Sequence, residues 1–567
     1  MMGGVRLLPR GFRPLLLALS AVLLVGWFSP EISDTDFWWH LKTGQYIWEK
    51  HSLPVPDPFA YTTAMAGSAY AGEERTRDFN LTHEWLAQAL FYLIYRAAGF
   101  GGMILVRAAV LTAFCALGGL LAWRRCGGFY GALGAAFATA GAISGFAVDR
   151  PYLITFLLLA STIAILETRR WMWLLPPLFL IWANCHGGYF LGWIVVAAYS
   201  AEALFLKWRK EPLAGARRLW IVGAISILVS GVNPNGFRIL QILLYYRRSY
   251  MTSRLLEWAA PSLWPPDGFA VLLFGAAALL LWARRRGRLV DWLLFLAFAM
   301  AGLSAQRNAF LIGFLAPVLI ASYFPWKPRF PVFAQYATAA LVVGALGAGI
   351  ASGSFFQLRA AEWKYPAGAA DFLLAHHVTE PLFNTYEYGG YLIWRLWPRE
   401  RVFIDGRSLS ESIFMDYARI LYNHDASDGK SADELLDGYG IQAIVMNTFE
   451  YTNGLVYLLG PALVDPRRTD WKLVYSDAQA MIFMRHPPPG VEPLDSLRVL
   501  DHMEAECALH IEREPQYPRC ARGLGQVLTR IGDFTRARRW IGVYLAHPHD
   551  PDPEAEQAYQ RLPGLGR

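Results

Sequence analysis

Charge is scarce in this chain of 567 residues: Asp, Glu, Lys and Arg make up 17% of it, against roughly 25% in soluble domains. Cysteine is scarcer still. There are five, with no CxxC pair, which excludes a thiolate zinc site and a disulfide-dense scaffold. No clear internal repeat is present either. What fills the space is apolar and aromatic. Hydrophobic residues are 55% of the chain, with 22 Trp, 27 Tyr and 34 Phe, and mean hydropathy is +0.27. These figures exclude a soluble enzyme, a disordered chain or a nucleic-acid reader as a description of the whole. They fit a polytopic membrane protein with a soluble part. The net charge of +7 is then loop charge, and no nucleic acid is implied as a partner.

A bilayer core about 30 Å thick calls for apolar runs of about 20 residues. Eleven runs approach that length, near 12–28, 101–122, 129–148, 151–167, 171–184, 188–206, 219–232, 268–283, 289–304, 309–323 and 331–351. The first follows Arg6, Arg10 and Arg13. It lacks a small-x-small cleavage site and reads as a retained helix, not a signal peptide. The links alternate. Arg124-Arg125, Arg169-Arg170, Lys207 to Arg218, Arg284 to Arg288 and Lys327 to Arg329 are basic. Asp149-Arg150, Asn184 to Gly188, Asn233 to Gly236 and Gln306 to Asn308 are poor in Lys and Arg. With eleven spans the basic set and the N-terminus share one side, which the positive-inside rule makes cytoplasmic. Residues 30–100 and everything after about 352 then lie outside.

The long first outer loop contains Pro54-Val55-Pro56-Asp57-Pro58, which is not helical. It ends in an amphipathic helix, Glu84 to Ala97, expected at the interface. A second outer loop, about 233–267, carries Arg238, Arg247, Arg248 and Arg254 among apolar residues and also reads as interfacial. Beyond residue 352, strands are expected at Pro381–Asn384, Arg401–Asp405, Gln442–Met446 and Ala480–Met484, with helices such as Ala367–His376 and Ser410–Leu421 between them. That pattern is a small α/β domain. The division is thus 1–352 for the membrane part, 353–486 for the α/β domain and 487–567 for a helical tail after Pro487-Pro488-Pro489. In the tail, Gly532-Asp533-Phe534, Ala537 and Pro548 resemble one tetratricopeptide helix pair. A lone repeat cannot bury its own face, so it should pack on the α/β domain. Cys507 and Cys520 fall in two successive helices of this tail and are expected to form a disulfide.

Ionisable residues near membrane depth are functional candidates. Asp34-Thr35-Asp36 stands just after the first run, before Phe37-Trp38-Trp39-His40-Leu41-Lys42. An extended Asp-x-Asp sets both carboxylates on one side. Such a pair accepts a proton, holds a divalent metal (Mg or Mn), or does both; the alternative is a cap for the next helix. His83 and Glu84 open the amphipathic helix. Arg150 is suited to a phosphate through a bidentate guanidinium, or to a local pair with Asp149. His186, beside Gly187-Gly188, and Arg307, before Asn308, are features of the same kind. Asp36, His83, Glu84, Arg150, His186 and Arg307 all fall at the outer face. In the soluble part, Asp405-Gly406-Arg407 follows an expected strand; it either binds an acceptor or is a turn with a structural Arg.

An acidic pair after a first helix, a long outer loop with an amphipathic helix, many spans and a C-terminal outer α/β domain resemble the GT-C superfamily of membrane glycosyltransferases, which use polyprenyl-phosphate sugars. Asp34 to Tyr61, His83-Glu84-Trp85-Leu86, Trp182 to Gly188, Arg307-Asn308 and Phe403 to Arg407 look like a bacterial branch of it, over residues 1 to about 485. The resemblance implies a catalytic first-loop acid, best matched by Asp36, with Asp34 supporting it and His83 and Glu84 lining the site. It implies donor-phosphate binding by Arg150, Arg307, His186 and Lys42. The expected activity is sugar transfer at the bacterial cytoplasmic membrane, from a lipid-linked donor to an extracytoplasmic glycan, lipid or protein. The tail would offer a surface to a protein partner. The alternatives are a non-catalytic scaffold docking a partner complex and, last, a transporter of lipid-linked sugars, for which inverted repeats are lacking.

Overall fold

A computed structural model describes residues 12–562 other than 212, 247–248, 325–330, 380, 408 and 452. Arg6, Arg10, Arg247, Arg248 and the Lys327 to Arg329 link lie outside the described residues. The chain divides into two compact units. One is Met1–Val55 with Gly72–Ala360, the other Pro56–Ala71 with Ala361–Arg567.

The first unit is helical. Its elements are α1 Phe12–Trp27, α2 Phe37–Lys50, α3 Glu73–Thr82, α4 Trp85–Cys126, α5 Phe129–Ala142, α6 Tyr152–Thr168, α7 Leu175–Cys185 and α8 Phe190–Trp208. After these come α9 Ala216–Val229, α10 Ile239–Tyr246, α11 Tyr250–Arg254, α12 Gly268–Trp282, α13 Leu289–Ser304, α14 Ala309–Tyr323 and α15 Val332–Ala351. Each of the eleven apolar runs is helical. Among the described residues three helical stretches are long and apolar enough to cross a membrane: Glu73–Cys126, Gly187–Trp208 and Val332–Ala351. Six more apolar helices are shorter. The expected amphipathic helix is the first part of α4, which breaks at Gly99 (φ 60°, ψ −157°) before its apolar part begins. Gly44 lets α2 lie directly on α4, since a Cβ there would stand 2.0 Å from the Gln88 carbonyl oxygen.

The two ends of this bundle differ in chemistry. At the basic end, Arg125 Nη1 donates to Asp291 Oδ1 at 2.9 Å and its Nε to Glu167 Oε1 at 3.1 Å. Arg288 Nη1 donates to Glu167 at 2.7 Å and Nη2 to Glu202 at 2.9 Å. Tyr199 donates to Glu167 and Tyr323 to Asp291. Five helices are thereby tied where the basic links lie. The base-poor links meet at the opposite end, around the carboxylates described below.

The second unit has a four-stranded sheet. Its strands are β1 Leu382–Asn384, β2 Ala443–Met446, β5 Lys472–Ser476 and β6 Met481–Met484, in the order β1-β2-β6-β5; β3 Phe449–Glu450 and β4 Leu455–Val456 form a separate pair. Only β1 and β2 are parallel, so the domain is mixed. Arg401–Asp405, expected as a strand, is not one. Phe403 N instead donates to Asn384 Oδ1 at 2.9 Å, and Asn384 Nδ2 to Ile404 O at 2.8 Å. A side-chain amide does the work of a ladder there. Helices Ala367–Ala375, Tyr386–Leu396, Glu411–Leu421, Ala432–Gly438 and Leu459–Leu463 complete the sheet domain. The tail helices Arg498–Arg513, Arg519–Arg530, Phe534–Ala546 and Pro553–Arg561 share one core with it, Met503 and Leu524 joining Phe449 and Tyr457. Cys507 and Cys520 are disulfide-bonded with Cα atoms 5.7 Å apart, and Cys115, Cys126 and Cys185 are free.

Candidate functional site

The segment after α1 is a turn at Thr35-Asp36, not the extended chain expected of Asp-x-Asp. Asp34 Oδ1 accepts the Asp36 backbone N–H at 3.0 Å. Asp36 stands at the N-cap of α2 but its side chain makes no capping bond. That leaves its carboxylate free to face elsewhere, and both carboxylates turn to one cation. Arg150 donates to Asp34 through Nε and through Nη2, the latter at 2.9 Å. The same Nη2 stands 3.0 Å from Asp36 Oδ2, and Nη1 is 3.6 Å from Glu257 Oε2. Arg307 Nη1 meets the other oxygen of Glu257 at 3.2 Å while its guanidinium covers the Trp258 ring at 4.4 Å. Asp34, Asp36, Arg150, Glu257 and Arg307 are therefore one chain of charges.

Arg150 does not pair with Asp149. Asp149 is taken by Arg107, which lies in α4 and is buried. Arg107 also donates to Phe28 O at 3.2 Å and to Pro30 O. One buried guanidinium thus fixes both the segment that leads to Asp34 and the link that carries Arg150.

A second cluster surrounds Glu84. His83 Nε2 is 3.4 Å from it, His40 Nδ1 3.6 Å and His186 Nε2 3.8 Å. Hydrogen bonding sets the ring orientations. His83 Nδ1 donates to Phe79 O at 2.8 Å. His186 Nδ1 accepts the Gly188 N–H at 3.0 Å and the Thr155 hydroxyl at 2.8 Å, so its ring proton is on Nε2, toward Glu84. Trp182 Nε1 in turn donates to Thr155. Gly188 is required at this point, because a Cβ would lie 2.6 Å from Thr155 Oγ1. His40 joins the two clusters, standing one turn along α2 from Asp36.

The electrostatics separate the acids. Burial pushes the Asp34 carboxyl up, but the Arg150 guanidinium outweighs this and holds it below the ordinary value. Asp36 is pushed up to about 7 by burial, only partly opposed by Arg150, with the Asp34 charge adding to the rise. Glu84 is held at about 2: burial raises it, but His83 and then the other imidazoles outweigh that. Burial drives His40 down to about 4 and His186 to about 3.

Of the expected residues, Asp34, Asp36, Arg150 and Arg307 share one cluster, and His83, Glu84 and His186 the other. Lys42 joins neither through these ion pairs. It sits two residues past His40, about 200° round the helix, and donates to Gln45 Oε1 at 3.2 Å. His40, Glu257 and Arg107 were not anticipated. The i, i+4 spacing of Asp36 and His40 was a usable signal, and Glu257 was a lone acid between Leu256 and Trp258 in a loop read only for its arginines. Arg107 had no local signal beyond being a charge inside an apolar run.

Among the described residues no group of three His, Cys, Asp or Glu is placed to hold a metal ion. Both first-loop carboxylates are already held by one guanidinium, so this arrangement does not fit a divalent metal at Asp34 and Asp36.

In the second unit, Arg407 is buried and pairs with Asp405 Oδ1 at 2.7 Å and with Asp57 Oδ1 at 2.6 Å, its guanidinium 5.2 Å from the Phe59 ring centre. Asp405-Gly406-Arg407 is thus an internal tie for the Pro56-Asp57-Pro58 segment.

No protein-family profile matches the sequence, and no curated protein matches it. The fold, apolar helices followed by a small mixed α/β region, resembles that of a solved oligosaccharyltransferase. In particular it is similar to the Archaeoglobus fulgidus oligosaccharyltransferase. Against that enzyme tethered by a disulfide to an acceptor peptide with an NVT sequon, the TM-score is 0.52 at 12% identity, over 84% of this chain and 74% of the other. Against its apo form the values are 0.52 and 12%, over 86% and 76%. At this identity the likeness is one of fold.

Proposed function

We propose that this protein is a membrane glycosyltransferase that moves a sugar from a polyprenyl-phosphate donor to an extracytoplasmic acceptor. The observation that carries the reading is the unequal sharing of Arg150. Asp34 takes two of its contacts, while Asp36, with one, remains near neutrality in its proton affinity. A general base works best with a proton affinity matched to the ambient pH. The Asp36 carboxylate takes the proton of an acceptor O–H or N–H. The freed lone pair attacks the anomeric carbon of the sugar. The bond from that carbon to the donor phosphate oxygen breaks, and its electron pair leaves with the polyprenyl phosphate. Arg307, whose side chain is 32% exposed, is the cation available to that leaving group. Arg150 positions the base. Glu84 and its three imidazoles form the polar wall beside it.

The bundle end that carries the acids faces outward in this reading, at the bacterial cytoplasmic membrane, with the basic end inside. The test is Asp36→Asn, which keeps size and removes the base. With folded protein at normal levels it should abolish glycan transfer from membrane donor. A second reading, a non-catalytic scaffold, draws on the fact that Arg150 already faces three carboxylates. Undiminished product in Asp36→Asn would favour it.

A further inference from the structure

The basic end of the helical unit carries two kinds of arginine. Arg125 and Arg288 are paired with carboxylates. Arg169, Arg217 and Arg218 are not: among the described residues none of the three forms a salt bridge, and Arg169 Nη1 donates only to a carbonyl, Ala214 O, at 3.2 Å. These three line one cavity of about 530 Å³, between the link after α6 and the start of α9.

Their placement is electrostatically adverse as it stands. Arg217 and Arg218 lie in the first turn of α9, which has no acidic residue there. The N-terminal end of a helix carries partial positive charge and disfavours cations. An anion in the cavity would remove the conflict and would also meet the free amides of that turn. The rest of the lining is apolar, with Met172, Trp173 and Ile221. Trp173 is 58% exposed and neighbouring Trp171 78%. Exposed tryptophan beside unpaired arginine is the pattern of a headgroup-level boundary.

We propose that this cavity binds the phosphodiester headgroup of an anionic phospholipid, with Arg169, Arg217 and Arg218 on the phosphate and an acyl chain along Trp173 and Ile221. Guanidinium groups suit phosphate through paired N–H donors. A free phosphate has the same charge chemistry but would leave the apolar lining without a partner, which favours the lipid. The site lies at the opposite end of the bundle from the acidic cluster and does not depend on what that cluster does.

The experiment is native mass spectrometry of the full chain released from micelles holding equal phosphatidylglycerol and phosphatidylcholine. The expected result is retention of phosphatidylglycerol over phosphatidylcholine. The combined Arg169→Gln, Arg217→Gln and Arg218→Gln variant should lose about a hundredfold in apparent affinity, each cation at a headgroup contributing roughly fivefold. Arg284→Gln, Arg285→Gln and Arg286→Gln, an equal loss of exposed charge at another basic link, should retain the lipid. Equal loss in both triple variants, or equal retention of both lipids by the unaltered chain, would overturn the proposal. If the first triple variant does not fold, Ala214→Glu places an acid at the cavity with all three arginines present. It should weaken phosphatidylglycerol binding at least tenfold, and unchanged binding would overturn the site. Displacement of phosphatidylglycerol by an equal concentration of inorganic phosphate would overturn the lipid as its occupant.

Discussion

Arg107 offers the sharpest test of how the candidate site is held. The side chain is 2% exposed, and it serves Asp149 together with the carbonyls of Phe28 and Pro30. Arg107→Met keeps most of the volume and removes all three interactions. Breaking a buried pair by removing one partner costs about 3–5 kcal/mol, because the other charge is left buried and alone. Two carbonyls lose a charged donor as well, each worth roughly 1.5–3 kcal/mol in other proteins. These terms overlap, and Asp149 relieves part of its own by taking a proton, so a loss of about 4 kcal/mol is the expectation. The assay is reversible denaturation in detergent, followed by tryptophan fluorescence. Asp149→Leu alone should be similarly costly, whereas the double variant should recover part of the loss. A cycle isolates that coupling. Glycan transfer should fall in every variant lacking Arg107, since Asp34 and Arg150 both hang on it. An Arg107→Met protein within about 0.5 kcal/mol of the unaltered chain would refute the assignment.

Cys507→Ser with Cys520→Ser should destabilise the second unit by about 3 kcal/mol on loop-entropy grounds, read as a lower unfolding midpoint without reductant; an unchanged midpoint would deny the bridge a structural role. The transfer rate should rise about tenfold per pH unit toward pH 7 and then level, as the Asp36 carboxylate, raised to about 7, gives up its proton; a flat profile across that range would remove Asp36 as base. In intact cells a membrane-impermeant maleimide should label Lys430→Cys and leave Arg286→Cys untouched; labelling of the second would reverse the orientation.

Stability should respond to pH in the same window, with two opposing signs. Asp36 holds its proton in the folded state up to about 7, while the unfolded chain releases it near the ordinary 3.8. Its contribution is fully present below about 3.8 and is lost as pH rises through 7. His40 stays neutral in the folded state down to about 4, while the unfolded ring takes a proton near 6.5. Its contribution is present above 6.5 and is lost as pH falls. Asp36→Asn should leave the His40 slope alone.

What was legible in the sequence was which residues share one end of the helical bundle, more than how they pair. The alternation of basic and base-poor links put Asp36, Glu84, Arg150, His186 and Arg307 at one end of the bundle because helix ends alternate by counting. Which acid meets which base depends on how helices rotate and pack, and no local spacing encodes that. Asp149 and Arg150 are adjacent, yet one points to α4 and the other to Asp34 and Asp36. The Asp-x-Asp pattern predicts an extended pair, but the segment is a turn, since Asp34 closes on the Asp36 amide. Arg401–Asp405 has the apolar content of a strand, but its edge is met by the Asn384 side chain. Asp57 and Arg407 belong to separate sequence motifs, and neither motif alone encodes that they meet.

The two acid clusters carry the functional argument further than the fold does. Asp36 and Glu84 are both buried carboxylates near the same turn of α2, yet their environments drive them in opposite directions, to about 7 and about 2. The difference follows from the neighbours. Asp36 shares one cation with a competing carboxylate, whereas Glu84 faces three imidazoles and no second acid. Carboxylates separated in this way take different tasks: the raised one exchanges a proton near neutrality, and the lowered one remains an anion that orients its partners. A packing-only role would require the buried charges simply to cancel, and Asp36 does not meet that requirement. Burial and the Asp34 charge raise it to about 7, so it is able to change its charge near neutrality. For that reason the proposed reaction places its base at Asp36, with Glu84 beside it holding the imidazoles.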